Sequence, residues 1–283
     1  QTCALPISPG CMIPVENKKI FLLPGPPNEL IPIFNNEVCP YLEKDLKEVY
    51  YTLDIKCFGI GESHLAQLAG DLLGEFEDTL IAPYVSNLEV IIRICTWKTS
   101  IEAARQEAER YKNKIEERLR PYIIGYNEET IEENILKLLQ TKQYSVTTAE
   151  SCTGGLLAGT LVNCGGISNY FKEGIVTYSN EAKMKYLHVK EETLNQFGAV
   201  SYEIAKEMAE GVRQTAGAHI GLATTGIAGP DGGTEEKPVG LVYIGIALPG
   251  ETFVYELHLQ GDRQSIRLQA VKHTLYQLYK KLK

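Results

Sequence analysis

Apolar and polar residues alternate over residues 51–55 and again over 88–95, the two-residue period of half-buried strands. Residues 62–73 and 100–119 instead place apolar side chains at helical spacing, and 122–126 reads as one more strand. Residues 49–127 thus predict the order β-α-β-α-β, a small α+β sheet with helices on one face. Ahead of it, the short apolar run 20–23 meets Pro24-Gly25-Pro26-Pro27, which forces a turn, and Asn28 or Glu29 can then open a helix. A strand-loop-helix piece of ~40 residues is too small for a core of its own and is expected to belong to a domain whose front is absent.

After residue 128 the periodicities strengthen. Thr130-Ile131-Glu132-Glu133 has the form of a capping box, and Ile131, Ile135, Leu138 and Leu139 share one helical face. Residues 145–149 predict a strand that runs into Glu150-Ser151-Cys152-Thr153-Gly154-Gly155, a polar, glycine-rich turn, with a helix following from Leu156. Strands are predicted at 174–179 and 220–224, and a helix at 201–215 with Ile204, Ala205, Met208 and Val212 inward. Residues 241–248 and 252–259 pair as a hairpin across Pro249-Gly250-Glu251, and 263–280 closes as an amphipathic helix. Helices alternating with strands, plus an antiparallel hairpin, predict a three-layer-like α/β domain with a mixed sheet. The expected domains are 1–48, 49–127 and 128–283.

Length, charge and cysteine content narrow the function. A chain of 283 residues has room for two or three domains. Its formal charge of −8 argues against a broad surface for duplex nucleic acid. Cys3, Cys11, Cys39, Cys57, Cys95, Cys152 and Cys164 are odd in number, with no CxxC pair, and read as free thiols of a reducing, cytoplasmic compartment. No apolar run approaches the ~20 residues that cross a bilayer. Residues 1–7, Gln-Thr-Cys-Ala-Leu-Pro-Ile, can be encoded as CAG ACG TGT GCT CTT CCG ATC, the look of a sequencing adapter. They are expected to be a read artefact in front of a naturally longer protein.

Three loops are too specific in composition to be simple connectors. In Glu150-Ser151-Cys152-Thr153-Gly154-Gly155, small residues admit a ligand to the backbone, and amides at a helix start favour a phosphate or a developing oxyanion. The same composition suits an ordinary helix cap. In Thr177-Tyr178-Ser179-Asn180-Glu181-Ala182-Lys183 the lysine is either a surface residue or, where burial or a neighbouring cation lowers its pKa, a base. The third loop runs from Thr225 through Gly226-Ile227-Ala228-Gly229-Pro230-Asp231-Gly232-Gly233 to Gly240, a length that is usually functional or mobile.

Taken together, the strings TTAESCTGG, VTYSNEAK, TTGIAGPDGGTEEKPVG and GDR resemble the nicotinamide-nucleotide amidase domain of CinA-type proteins, across the whole of 128–283. LLPGPPNEL resembles the end of the MoaB/MogA-like α/β domain that precedes it in long CinA proteins, with Leu30 in place of the usual Met, and 49–127 resembles their KH-like connector. The resemblance implies a hydrolase without metal or cofactor that removes ammonia from the carboxamide of nicotinamide mononucleotide, in pyridine nucleotide salvage. It makes Ser151 the nucleophile, Lys183 the general base, and Tyr178 the residue that relays or orients the proton. It sets Thr225 beside the reacting group and Arg263 on the substrate phosphate, for which a planar guanidinium is suited. Thr153, read as a cap or a ligand-binding hydroxyl, and Gly154, Gly155 and Gly226 complete the expected substrate-binding set. Oxyanion donors are expected from the turn 152–155 or from the Thr225-Gly226 loop.

Rival readings are explicit. Cys152 is a stronger nucleophile than serine but sits where small residues are usually buried packing. His64, His188, His219, His258 and His273 show no metal-binding spacing, and Asp231, Glu235 and Glu236 read as solvated carboxylates. Gly59-Ile60-Gly61-Glu62 is one residue short of a nucleic-acid-clamping GXXG loop and acidic, which favours a structural connector. The resemblance carries two other functions. One is nucleotide-pyrophosphate hydrolysis by the MoaB/MogA-like domain; only residues 24–29 of its ligand loop remain, so this chain is expected to lack it. The other is a non-enzymatic role in competence or DNA damage through a recombination protein. The expected partner is the small-molecule substrate, without membrane or nucleic acid, and the expected assembly is a homodimer.

Overall fold

The computed structural model describes residues 10–16, 18–44, 47–86 and 88–283; the adapter-like heptapeptide and Cys3 lie outside them. Strands β1 (Cys11–Val15) and β2 (Lys18–Leu22) form an antiparallel pair, with Cys11 opposite Leu22. The Pro-rich turn ends where Pro27 opens helix α1 (Pro27–Ile33), a position at which proline's missing N–H does no harm. A π-helical stretch, Phe34–Val38, joins it to α2 (Cys39–Glu43). Met12, Ile13, Val15, Ile20, Leu22 and Ile31 are all exposed, as a two-stranded ribbon cannot enclose an apolar face.

Residues 49–126 build an antiparallel sheet from β3 (Val49–Cys57), β4 (Gly74–Phe76), β5 (Thr79–Ser86), β6 (Glu89–Lys98) and β7 (Ile123–Tyr126), in the order β4-β5-β6-β3-β7. Helices α3 (Glu62–Ala69) and α4 (Ile101–Leu119) complete it. Leu53, Ile55, Ile92 and Ile94 from the sheet meet Leu65, Ala108, Ile115 and Leu119 from the helices in one core. The sequence pattern omits β4, only three residues long, and β5, where Pro83 interrupts 79–86. The structure tolerates that proline for a geometric reason. Trp97 N–H donates to Asp78 O, so alternation along the β5–β6 ladder makes Pro83–Ile92 a non-hydrogen-bonded pair. The Pro83 nitrogen faces the other side of β5, where β4 has already ended opposite Ile81.

The second large sheet has the order β12-β11-β10-β8-β9. Strands β8 (Val146–Glu150), β9 (Phe171–Val176) and β10 (Ile220–Gly226) run parallel, while β11 (Leu241–Leu248) and β12 (Glu251–His258) add the antiparallel hairpin. On one face lie α5 (Ile131–Lys142), α6 (Leu156–Val162) and α10 (Arg263–Leu282), packed through Ile135, Leu139, Leu157, Leu161, Leu275 and Leu278. On the other lie α7 (Asn180–Leu187), α8 (Glu191–Phe197) and α9 (Tyr202–Thr215), where Leu187, Leu194, Ile204, Met208 and Val212 cover Ala149, Ala223 and Ala247. The result is the three-layer α/β arrangement that the periodicity predicts. The capping box of α5 is present in full: Glu133 N–H donates to Thr130 Oγ1, and Thr130 N–H donates to Glu133 Oε2. Helices α7 and α8 are absent from the sequence reading; each is under nine residues and shows too short a pattern to register.

Candidate active site

β8 and β10 end side by side, with Glu150 opposite Thr224 and Ser151 N–H donating to Thr224 O at 2.9 Å. The carboxyl ends of neighbouring parallel strands are where open α/β sheets place their ligands. The chain leaves β8 through Ser151 and turns at Gly154 (φ +59) and Gly155 (φ +94), in the left-handed region that only glycine enters without strain.

Glu150 shapes this turn from within. It is 1% exposed, and its carboxylate accepts from the Thr153 hydroxyl at 2.6 Å and from the amides of Gly155 (2.9 Å), Leu157 (3.0 Å) and Ala158 (2.7 Å). A negative charge on the first amides of α6 is favoured by the helix dipole and replaces the water they would otherwise need. In the sequence Glu150 reads as the first residue of the polar turn and draws no role of its own, although its place just before hydroxyl-bearing residues and a helix is the available signal.

This capping engages several of the predicted residues from within the turn. The Gly155 amide is engaged by Glu150 and the Gly154 amide by Ser151 O at 3.1 Å, so neither is free for a ligand. Thr153 is fully buried, with its hydroxyl shared between Glu150 and Thr224 Oγ1 at 2.7 Å, and it braces the turn from within. Within the turn, the Cys152 and Thr153 amides have no hydrogen-bond partner among the described residues.

Lys183 sits one turn into α7, whose first turn is capped by Ser179 Oγ accepting from Ala182 N–H at 3.1 Å. Helical side chains lean toward the N-terminus, which carries the amine back to the end of β9 and the Ser151 turn. It is 1% exposed, and Nζ lies 3.1 Å from Ser151 Oγ, 2.9 Å from Thr177 O and 3.4 Å from Tyr178 O. Burial pushes its pKa below the ordinary lysine value, offset in part by the Cys152 thiol. A neutral amine has two hydrogens and one lone pair. Here the two carbonyls can take the hydrogens and leave the lone pair facing the Ser151 hydroxyl. Ser151 is itself partly open to solvent.

The other predicted residues separate. Tyr178 is 62% exposed and its phenol accepts from Arg263 Nη2 at 3.1 Å, so it meets Lys183 through its backbone carbonyl and not through a proton-relaying hydroxyl. Arg263 begins α10 after Asp262, whose carboxylate accepts from Ser265 N–H at 2.7 Å; its Nη1 donates to Gly229 O at 2.6 Å, and it forms no ion pair among the described residues. Thr225 follows Thr224 alongside Ser151, but its buried hydroxyl donates to Ala199 O at 2.7 Å and so anchors the α8–α9 connection. A Cβ on Gly226 would fall 2.6 Å from Val242 Cγ2, so close strand packing requires glycine there. Ile227 N–H donates to Leu241 O, and strand alternation turns the Gly226 amide the opposite way, toward Ser151. Cys152 is buried, and that burial drives its thiol up to about 12, which leaves almost no thiolate at neutral pH. Arg267, unnoticed in the sequence, donates from Nε to Cys152 O (3.1 Å) and from Nη2 to Thr153 O (2.6 Å).

Among the described residues, no group of three or more His, Cys, Asp or Glu converges on a metal position, and no helix is long and apolar enough to cross a membrane. Cys11, Cys39, Cys57, Cys95, Cys152 and Cys164 are free thiols.

Comparison with known proteins gives a consistent picture. Residues 128–282 match the CinA C-terminal domain family, and residues 54–125 match the Damage-inducible protein CinA KH domain family. A Clostridium perfringens protein with a competence-damage inducible name is 49% identical over 276 residues, which are 97% of this chain and 67% of that protein. A CinA-like protein of Kosmotoga olearia is 46% identical over 268 residues, 95% of this chain and 65% of its own length. The chain thus spans about two thirds of the length of these relatives. Among solved structures, a CinA superfamily protein of Klebsiella pneumoniae superposes with a TM-score of 0.52 at 36% identity, covering 53% of this chain and 94% of that one. A competence/damage inducible protein of Agrobacterium tumefaciens gives 0.50 at 42% identity, covering 52% and 92%.

Proposed function

Because the chain belongs to the CinA family, we propose that its C-terminal segment hydrolyses the carboxamide of nicotinamide mononucleotide to nicotinate mononucleotide and ammonia. The observation that carries this reading is the buried Lys183 amine 3.1 Å from Ser151 Oγ, with only neutral carbonyls as its other partners. A serine hydroxyl attacks an amide at neutral pH only if a nearby base removes its proton. Burial that keeps the amine partly uncharged supplies that base.

Ser151 Oγ passes its hydrogen to Lys183 Nζ and attacks the carboxamide carbon. The negative charge that forms on the carboxamide oxygen is met by backbone amides, with Cys152, Thr153 and Gly226 among those near Ser151 whose hydrogens remain available. One such donor is typically worth ~3 kcal/mol at the transition state. Lys183 returns the proton to the leaving nitrogen, ammonia departs, and Lys183 then deprotonates the water that cleaves the acyl-serine. Arg263, at the mouth and without a carboxylate partner, binds the substrate phosphate; Tyr178 accepts from its guanidinium and holds it in place.

The test is ammonia release by the full chain. Nicotinamide mononucleotide should be turned over by the wild type and by Cys152→Ala, and not by Ser151→Ala. Arg263→Ala should raise KM for the mononucleotide by ~10–100-fold, the worth of a charge-assisted contact, and leave KM for the phosphate-free riboside unchanged. A wild-type chain that releases no ammonia from the mononucleotide, or a Ser151→Ala variant that still does, refutes the assignment.

A further inference from the structure

The nucleophile turn is held from two sides by charges that never meet. Glu150 grips it from the sheet, through Thr153 and the first amides of α6. From the α10 side comes Arg267, whose planar fork donates to two successive carbonyls, Cys152 O at 3.1 Å and Thr153 O at 2.6 Å. Gly154 makes room for it: a Cβ there would lie 3.2 Å from Arg267 Nη2, and its φ of +59 already disfavours a side chain.

We infer that Arg267 is a positioning residue for the amidase reaction proposed above, on which this inference rests, and that it sets the direction of the amides in the nucleophile turn. In a trans peptide the C=O and N–H point opposite ways. Holding the Thr153 carbonyl toward α10 must aim the Gly154 amide away from it, and that amide is found on Ser151 O at 3.1 Å. Holding the Cys152 carbonyl in the same way aims the Thr153 amide away from α10, and this amide, like that of Cys152, is left without a partner among the described residues. Were the Cys152–Thr153 peptide to flip, a carbonyl oxygen would take the place of that hydrogen and repel the forming oxyanion.

Stability is a poor explanation for the residue. Arg263 and Arg267 are like charges four residues apart in the first turns of α10, where both their mutual repulsion and the helix dipole disfavour cations. Arg267 forms no ion pair among the described residues. Its guanidinium is committed to two carbonyls within two residues of the nucleophile.

The experiment compares the full-length wild type with Arg267→Lys, Arg267→Ala and Ser151→Ala in steady-state ammonia release. The expected result is a ~100-fold fall in kcat for Arg267→Ala with KM within about twofold, the signature of a contact that acts only in the transition state. Arg267→Lys should recover little, because a point charge cannot bridge two carbonyls as a fork does. Added guanidinium ion should restore part of the kcat of Arg267→Ala and leave the wild type unaffected. An unchanged kcat in folded Arg267→Ala, or a loss seen in KM alone without guanidinium rescue, overturns the positioning role and leaves the amidase reading intact. A wild type without turnover overturns both.

Discussion

Two glycine-rich corners lead from strand to helix in this molecule, and both rest on α10. The first, Phe58-Gly59-Ile60-Gly61, joins β3 to α3. Phe58 is buried with its ring edge-on to His273 and Tyr276, at centroid distances of 4.9 and 5.1 Å. A Cβ on Gly59 would fall 3.0 Å from the Tyr276 ring, and Tyr276 in turn donates its hydroxyl to Pro121 O at 3.0 Å. The second, Ser151–Gly155, joins β8 to α6 and meets α10 through Arg267. At the first corner the contact with α10 is through aromatic rings, and Gly59, at φ +75, lets the Tyr276 ring approach. At the second, Arg267 adds directional hydrogen bonds to the apolar packing of Cys152 with Ile266 and Ala270, which holds peptide groups in set orientations beside the Ser151 hydroxyl and a buried amine. A glycine turn before a helix is therefore not a site in itself; what packs against it decides.

The largest effect expected from breaking this contrast is in Lys183→Met. Turnover should fall ~10³-fold or more, as loss of a general base does. Thermal stability should move the other way. Burial lowers the folded-state pKa of Lys183 below the 10.5 of the unfolded chain, so between those values the unfolded state binds more protons and wild-type stability rises with pH. At pH 7 the variant should melt higher than the wild type, by ~2–4 °C for each kcal/mol relieved, and the gap should shrink as pH rises toward 10. In the same range the wild-type kcat/KM should climb with a midpoint below 10.5. A variant that melts lower at pH 7 would show that the lysine is held charged.

Glu150→Gln comes next. The amide keeps the shape but loses the charge that three backbone N–H groups share, and it brings two hydrogens with nowhere to go. Melting should drop by an amount equivalent to about 2 kcal/mol, and kcat should fall ~10-fold as the nucleophile turn loosens. The smallest effect on turnover is expected at the other corner. Phe58→Ala should cost ~3–5 kcal/mol of stability, measured by urea denaturation, yet change kcat by less than about twofold below the melting range. A large kcat loss there would mean that the aromatic corner also steers α10 at its catalytic end.

Much of this architecture could be read from local pattern. The capping box before α5, the amphipathic α9 and α10, and the hairpin of β11 and β12 are set by residues close in sequence, and they occur within a residue or two of the expected positions. Strand β9 starts at Phe171, three residues ahead of its predicted start. Strand β5 escaped because a proline is judged by its neighbours along the chain, whereas its tolerance depends on which edge its nitrogen faces. Motif resemblance brought Ser151, Lys183 and Arg263 to attention. Thr153 reads as a cap or a ligand-binding hydroxyl, and its hydroxyl is internal; Glu150 and Arg267 draw no role from the sequence, because their partners are visible only after folding.

The order of strands and helices, and the kinds of residue available at each loop, follow from short-range preferences that a linear pattern records. The chemistry does not. Ser151 and Lys183 are 32 residues apart, and Arg267 is 115 from the carbonyl it holds. Whether the amine is buried enough to shed its proton, and which amides stay free for an oxyanion, depend on solvent exclusion and peptide orientation. Both are properties of surfaces brought together from distant parts of the chain, so they come into being only when the three layers close.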